Sequence, residues 1–160
     1  MRPHLSWIPL VALALVVGTP TLPGCSLFQA YAQRKAIEQA KFSLRNVQLL
    51  GLDLMGANLL VTIQLENPTT TDIVLDRLDY VLYVNDLKAF DGQVRDRLTV
   101  PAGQTRPLPI QLALAYADIG TQLRGLLAAG QVTSWKLKGA AHFDTPVGTI
   151  DYPIELERRK

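Results

Sequence analysis

Few side chains in this sequence have the types and spacing that catalysis or metal binding requires. A Ser-His-Asp site would need His142, the only histidine outside the N-terminal segment, but strand phase predicts it on the solvent face and outside any motif. Asp72, Asp76 and Asp79 form a loose acidic group whose spacing is not that of a calcium loop and which lacks the required glycine. Glycine-rich phosphate loops and zinc spacings are absent from the sequence. It therefore predicts no catalytic residue, no cofactor and no metal site.

Charge and composition further limit what kind of protein this chain forms. The 160 residues include 16 basic and 14 acidic side chains, spread along the chain rather than gathered into a patch that would attract nucleic acid. A hydrophobic content of 48% with 19% charged residues is typical of a chain that folds. We therefore expect one globular domain, stable without disulfides and not a nucleic-acid binder.

The N-terminal segment has the layout of an export signal. Arg2 and His4 precede an apolar run, Leu5 to Val17, that ends in small and turn-forming residues. A permanent membrane-spanning helix needs about 20 residues, so this run is short for that role. We interpret residues 1–24 as a signal peptide.

The one residue with a predicted modification is Cys25. The tetrapeptide Leu22-Pro23-Gly24-Cys25 resembles the lipobox of bacterial lipoproteins, in which leucine and glycine are recognised by the signal peptidase and the cysteine is acylated. Pro23 departs from the usual small or aliphatic residue. The resemblance implies a palmitate-type anchor in the cell envelope, and Ser26 is compatible with the outer membrane, facing the periplasm, of a Gram-negative host. The alternative is an unmodified cysteine beside an ordinary cleavage site.

Residues 25–41 connect this anchor to the rest of the chain. They are rich in strong helix formers and contain neither proline nor an internal glycine. Their apolar residues make no clean stripe, so a docked helix and a partly ordered tether are both open. Arg34, Lys35 and Lys41 are too dispersed for a lipid-binding cluster.

The strongest pattern in the sequence is the alternation of apolar and polar residues from Leu59 to Val84. It predicts two antiparallel strands, each with one buried face, separated at Asn67-Pro68 by a turn. A phase shift near Asp76-Arg77 predicts a bulge.

Further strands are predicted on both sides of this pair. They lie at Phe42–Leu54, Leu87–Val94, Arg106–Leu114, Val132–Asp144 and Ile150–Leu156. Pro107 and Pro109 indicate that the third of them lies at a sheet edge or is irregular at its start. Asn85-Asp86 predicts a two-residue hairpin. One helix is predicted over residues 116–129, with Gly130 ending it. Together these elements indicate an all-β antiparallel sandwich of about seven strands over residues 42–157, followed by a tail at 158–160.

The order of these elements resembles a known family. A strand ending in Asn67-Pro68, the turn Pro101–Thr105, one helix, and a final hairpin with Gly139 in its first arm are similar to the type 2 late embryogenesis abundant domain and the overlapping water stress and hypersensitive response domain. The resemblance implies a fibronectin-III or immunoglobulin-like sandwich without catalytic residues and an association with desiccation and other stress.

Three functional hypotheses follow. The first is a non-catalytic, lipid-anchored stress protectant that binds or protects membranes or proteins. The second is a protein- or lipid-binding accessory module of an envelope complex, which holds a protein or glycan partner at its loops or at the sheet edge Leu87–Val94. The third is carriage of an apolar ligand between the helix and a sheet.

Overall fold

The computed structural model describes residues 24–159, with side chains from residue 28 onward, and over that range the chain forms two helices and eight strands. The elements are α1 (Gly24–Gln39), β1 (Lys41–Leu52), β2 (Gly56–Glu66), β3 (Ile73–Val84), β4 (Leu87–Val94), β5 (Leu98–Val100), β6 (Thr105–Ala115), α2 (Thr121–Ala128), β7 (Ser134–Thr145) and β8 (Gly148–Arg159). They confirm the predicted all-β class.

The strands form two antiparallel sheets with the core between them. The first sheet has the order β1-β2-β6; the second has the order β4-β3-β7-β8, with β5 also paired to β3. Residues of both sheets form one hydrophobic cluster, so the architecture is a sandwich. The strands β2 and β3 contribute alternating, fully buried side chains, among them Leu59, Val61, Ile63, Leu78 and Leu82. The two strands predicted between Leu59 and Val84 both contribute to the core, but they do not form a pair, because β2 belongs to the first sheet and β3 to the second.

Two local irregularities of β3 and its hairpin lie where the sequence predicts them. The pairing of β3 with β7 shifts register between Leu75 and Arg77, which is the predicted bulge. Asn85 and Asp86 both have positive φ, 46° and 65°, as a type I′ hairpin turn requires. The carboxylate of Asp86 accepts a hydrogen bond from the Lys136 amine at 2.7 Å, and this bond lowers the pKa of Asp86 and raises that of Lys136.

The sheet edges also follow from the sequence. Within the described residues β6 pairs only with β2, and Pro107 and Pro109 are exposed there, as predicted for an edge strand. The strand count differs from the prediction of about seven because the three-residue segment β5 pairs with Ile73–Leu75 of β3. Such a short strand has too little alternation to be recognised from sequence.

The predicted helix over residues 116–129 is too long at its start. The structure has α2 only over Thr121–Ala128, because the Tyr116 amide donates to the Met55 carbonyl at 2.9 Å and continues the sheet instead. Gly120 is the extended N-cap residue. At the other end the prediction is confirmed, since Gly130 has a φ of 65° and closes α2 in a Schellman motif.

The segment before β1 is a docked helix rather than a tether. In α1, Ala36 and Ile37 are buried against the end of the sandwich, whereas Phe28 and Tyr31 are 74% and 67% exposed. The burial of its C-terminal half stabilises α1 despite the absence of a regular apolar stripe.

Two boundaries differ from the sequence prediction. β1 is Lys41–Leu52, so Leu54 belongs to the turn, and β8 continues to Arg159, which pairs with Ser134. Residues 158 and 159 are therefore part of the second sheet and not of a tail.

Candidate functional site

The predicted lipidation site lies at the start of the described chain. Leu22, a predicted peptidase-recognition residue, lies outside the described residues together with the rest of the signal peptide interpretation, while Gly24 and Cys25 are the first two residues of α1. Acylation of Cys25 stays a prediction. Phe28 and Tyr31 follow it by three and six residues and expose large aromatic surfaces to solvent.

In the described part of the chain, neither α1 nor α2 is long and apolar enough to cross a bilayer.

The prediction that His142 is a solvated surface residue is wrong. Its phase on β7 is the predicted outer one, but the residue is only 9% exposed because carboxylates from both neighbouring strands cover it. Nδ1 lies 2.6 Å from Oδ1 of Asp151 on β8, and Nε2 lies 2.9 Å from Oδ2 of Asp79 on β3. A fourth side chain joins the cluster, since Nε of Arg77 lies 3.2 Å from Oδ1 of Asp79.

This cluster connects three adjacent strands of the second sheet, β3, β7 and β8. Carboxylates only accept hydrogen bonds, so both contacts are satisfied together when both ring nitrogens of His142 carry hydrogen. A general base needs one nitrogen free to receive a proton, and both nitrogens here already face Asp79 and Asp151. The sequence could not reveal this arrangement, because it depends on the register of three strands.

The remaining acidic residues are explained by local structure. A carboxylate oxygen of Asp72 accepts a hydrogen bond from the Ala102 amide at 2.8 Å and joins two turns, and Asp76 lies 4.0 Å from Arg97. Within residues 24–159 no three histidine, cysteine or acidic side chains are grouped as a metal site would require.

An exposed apolar ridge lies at the β1–β2 turn and was not predicted from the sequence. We define it as Leu49, Leu50, Leu52, Leu54 and Met55, of which Leu54 is 97% and Met55 80% exposed. Single exposed apolar residues are ordinary, but a contiguous group is typical of a binding surface. The signal was present in the segment QLLGLDLM, where apolar residues occur on both strand faces instead of one.

Comparison with known proteins identifies the family. A family model described as late embryogenesis abundant protein matches residues 62–158. The chain belongs to the type 2 late embryogenesis abundant family. The match covers nearly all of the second sheet and, from the first sheet, the end of β2 and all of β6. Members of this family are generally not enzymes.

Solved structures share the fold of this late embryogenesis abundant domain. The solution structure of an Arabidopsis thaliana protein is 17% identical, with a TM-score of 0.60 over 74% of this chain and 79% of that one. A solution structure whose title describes a late embryogenesis abundant protein is also 17% identical, with a TM-score of 0.55 over 86% of this chain and 81% of that one. No protein in the curated collection of characterised sequences matches the chain significantly. At these identities the likeness shows the fold alone.

Proposed function

We propose that this chain is an envelope lipoprotein, anchored by acylated Cys25, whose late embryogenesis abundant domain supports desiccation and osmotic tolerance without catalysis. In this proposal the protein faces the periplasm from the outer membrane of a Gram-negative host, and it binds or protects membrane or protein partners. Family membership and the lipobox resemblance of Leu22, Gly24 and Cys25 support it.

The observation that carries the proposal is the position of the exposed aromatic residues on α1. Phe28 and Tyr31 stand within two helical turns of Cys25 and are among the most exposed large apolar side chains of the described chain. Aromatic rings favour the interface between water and hydrocarbon, where they bury an apolar body and hydrate a polar edge. An acyl chain at Cys25 would hold both rings at that depth, which accounts for their exposure in the protein alone.

The first prediction concerns Cys25→Ala. In cells fed an alkyne-tagged palmitate, the wild-type chain should take up label and the variant should take up none. A deletion strain should survive drying worse than its parent, and wild-type protein but not Cys25→Ala should restore survival. The measurements are in-gel detection of the tag and colony counts after rehydration.

Ser26→Ala is the matched control, because it changes the neighbouring residue and leaves Leu22, Gly24 and Cys25 in place. It should be labelled like the wild type. Label retained by Cys25→Ala would refute the anchor, and equal survival of the deletion strain and its parent would refute the protective role.

A second candidate function, an accessory binding module, is favoured by the edge strand β4. Within the described chain β4 pairs only with β3, so one row of its backbone groups is available for strand addition by a partner. The ion pair between Lys88 and Asp91, at 2.6 Å, is its main charged feature.

The second prediction tests this edge with Gln93→Lys, since an exposed lysine on an edge strand opposes strand addition. A partner crosslinked to the wild type in intact envelopes should be recovered several-fold less with this variant. Gln48→Lys, the same change at an exposed position of the edge strand β1 on the opposite side of the sandwich, should recover the partner fully. Equal recovery with both variants would exclude β4 as the docking edge.

A further inference from the structure

A cavity of about 490 Å³ lies between the two sheets at the end of the sandwich that carries α2. Its apolar wall comes from both sheets and from the helix: Val47 and Leu59 from the first sheet, Trp135 from β7, Leu127 from α2, and Val132 from the following loop. Pockets for single small ligands have volumes of about 300–1,000 Å³ and mainly apolar walls with a few polar groups. The cavity therefore has the size and lining of a ligand site.

The mouth of this cavity is positively charged. Arg158 and Arg159, the last two residues of β8, line it. Arg159 is paired with Glu157 at 2.7 Å, whereas Arg158 donates to the backbone carbonyl of Arg45 on β1. Among the described residues no carboxylate forms an ion pair with Arg158. A guanidinium carries five N–H donors, so Arg158 retains donors for an anionic group.

The apolar ridge adjoins the same mouth. Leu49 lines the cavity and is 44% exposed, and Leu50 and Leu52 continue the apolar surface along β1 toward the turn. The site thus combines three adjoining surfaces: an apolar cavity wall, a positively charged mouth and the exposed apolar ridge beside that mouth. This is the arrangement that complements a molecule with one hydrocarbon chain and one anionic head.

We propose that the cavity binds a single-chain anionic amphiphile. The hydrocarbon chain lies against Val47, Leu127 and Trp135, and the carboxylate or phosphate head accepts charge-assisted hydrogen bonds from Arg158. The ridge guides the chain from a lipid surface into the cavity. The site is independent of the anchor at Cys25 and of any stress role, so its test stands apart from theirs.

Trp135 provides a direct measurement of occupancy. The sequence has two tryptophans, Trp7 and Trp135, and Trp7 lies in the predicted signal peptide. In protein carrying Trp7→Phe, the only indole is therefore the one that lines the cavity, whether or not residues 1–24 are removed. With this protein in phosphatidylcholine nanodiscs, dodecanoic acid brominated at its terminal carbon should quench Trp135 fluorescence saturably, since bromine quenches indole only at short range. Dodecanoate and dodecyl phosphate without bromine should relieve the quenching, and the stronger competitor identifies the preferred head group.

Two variants test the two halves of the site. Arg158→Glu should weaken binding about tenfold or more, the effect of losing one charge-assisted contact and meeting a like charge, while Arg106→Glu, an exposed change on β6, should leave it unchanged. Val132→Phe, in the loop after α2, should fill the cavity and abolish saturable quenching. Circular dichroism confirms that each variant is folded. Quenching that never saturates, or that survives both Arg158→Glu and Val132→Phe in folded protein, would overturn the proposal.

Discussion

Replacing Asn67 with aspartate is expected to lower the free energy of unfolding by about 3–5 kcal/mol at pH 7, the range found when a buried charge loses its compensation. Asn67 is completely buried at the end of β2. Its side-chain amide donates to the Thr71 carbonyl at 2.8 Å and to the Val100 carbonyl at 3.0 Å. Aspartate has the same shape but no N–H donor, so its ionised oxygen would face two carbonyl oxygens.

The size of this effect follows from what Asn67 connects. The side-chain oxygen Oδ1 of Asn67 accepts a hydrogen bond from the Thr69 hydroxyl at 2.7 Å, and the backbone N–H of Asn67 donates to the Gln104 carbonyl at 2.9 Å. This one residue therefore joins the β2–β3 turn to the turn before β6. Burial would raise the pKa of the introduced carboxyl, and a protonated carboxyl could again donate one hydrogen bond. The loss of stability in Asn67→Asp should therefore be smallest below the pKa of aspartate in the unfolded chain, near 3.9. It should grow as the pH rises toward and through the higher pKa that this carboxyl has in the folded protein.

Urea unfolding at several pH values measures this effect. Asn67→Ala, which removes the same donors without adding a charge, should cost less at pH 7, about 1–3 kcal/mol, and should show no such pH dependence. The matched control is Asn58→Asp, the same chemical change at an exposed position of the same strand, which should alter stability by no more than about 0.5 kcal/mol. If the two aspartate variants were equally stable, the network around Asn67 would have no structural importance.

Asn67 also shows how far sequence reasoning extends in this protein. The Asn-Pro pair correctly predicts the end of β2, because proline constrains the backbone locally. Its partner Val100 lies 33 residues away, and nothing local to either segment specifies that contact. Features decided by neighbouring residues, such as the Asn85-Asp86 turn and the Gly130 cap, are predicted; features decided by packing are not.

The same division separates the correct and incorrect site predictions. His142 occupies the predicted face of β7, yet its burial depends on Asp79 and Asp151 reaching it from two other strands. The cavity beside Trp135 is likewise assembled from both sheets and α2. Neither could be inferred from periodicity, which reports the face of a residue but not what covers that face.

The exposed apolar ridge belongs to the first sheet and its β1–β2 turn, whereas the cluster around His142 belongs to the second sheet. On the second sheet His142 contacts a carboxylate on each neighbouring strand, whereas Leu50 and Leu52 on β1 and Leu54 in the turn after it are exposed. Exposed apolar edges favour aggregation unless a partner or a membrane covers them, so we expect this ridge to be covered in the cell. The ridge is thus the part of this domain where an interaction with lipid or protein is best sought.

Gly139 provides the second large prediction. It faces Tyr80 in the pairing of β3 with β7, at the centre of the second sheet. A Cβ atom at this position would lie 2.0 Å from the Asp79 carbonyl oxygen and 2.9 Å from the Tyr80 Cα, both backbone atoms that cannot rotate away. Gly139→Ala must therefore separate two central strands, and we expect it to lower the free energy of unfolding by about 3 kcal/mol, at the upper end of the usual effect of overpacking.

Thermal and urea unfolding should show this loss, and Gly51→Ala is the control that isolates its cause. Gly51 is also a strand glycine, in β1, but a Cβ there would meet nothing within 4 Å. Alanine at that position should leave stability unchanged or raise it by up to about 1 kcal/mol, because glycine loses more conformational entropy on folding. A similar loss in both variants would mean that strand glycines are required for backbone conformation, and no loss in Gly139→Ala would mean that β3 and β7 can separate without cost. We expect the two glycines to differ because β3 and β7 approach each other closely at Gly139, where the backbone of Asp79 leaves no room for a side chain.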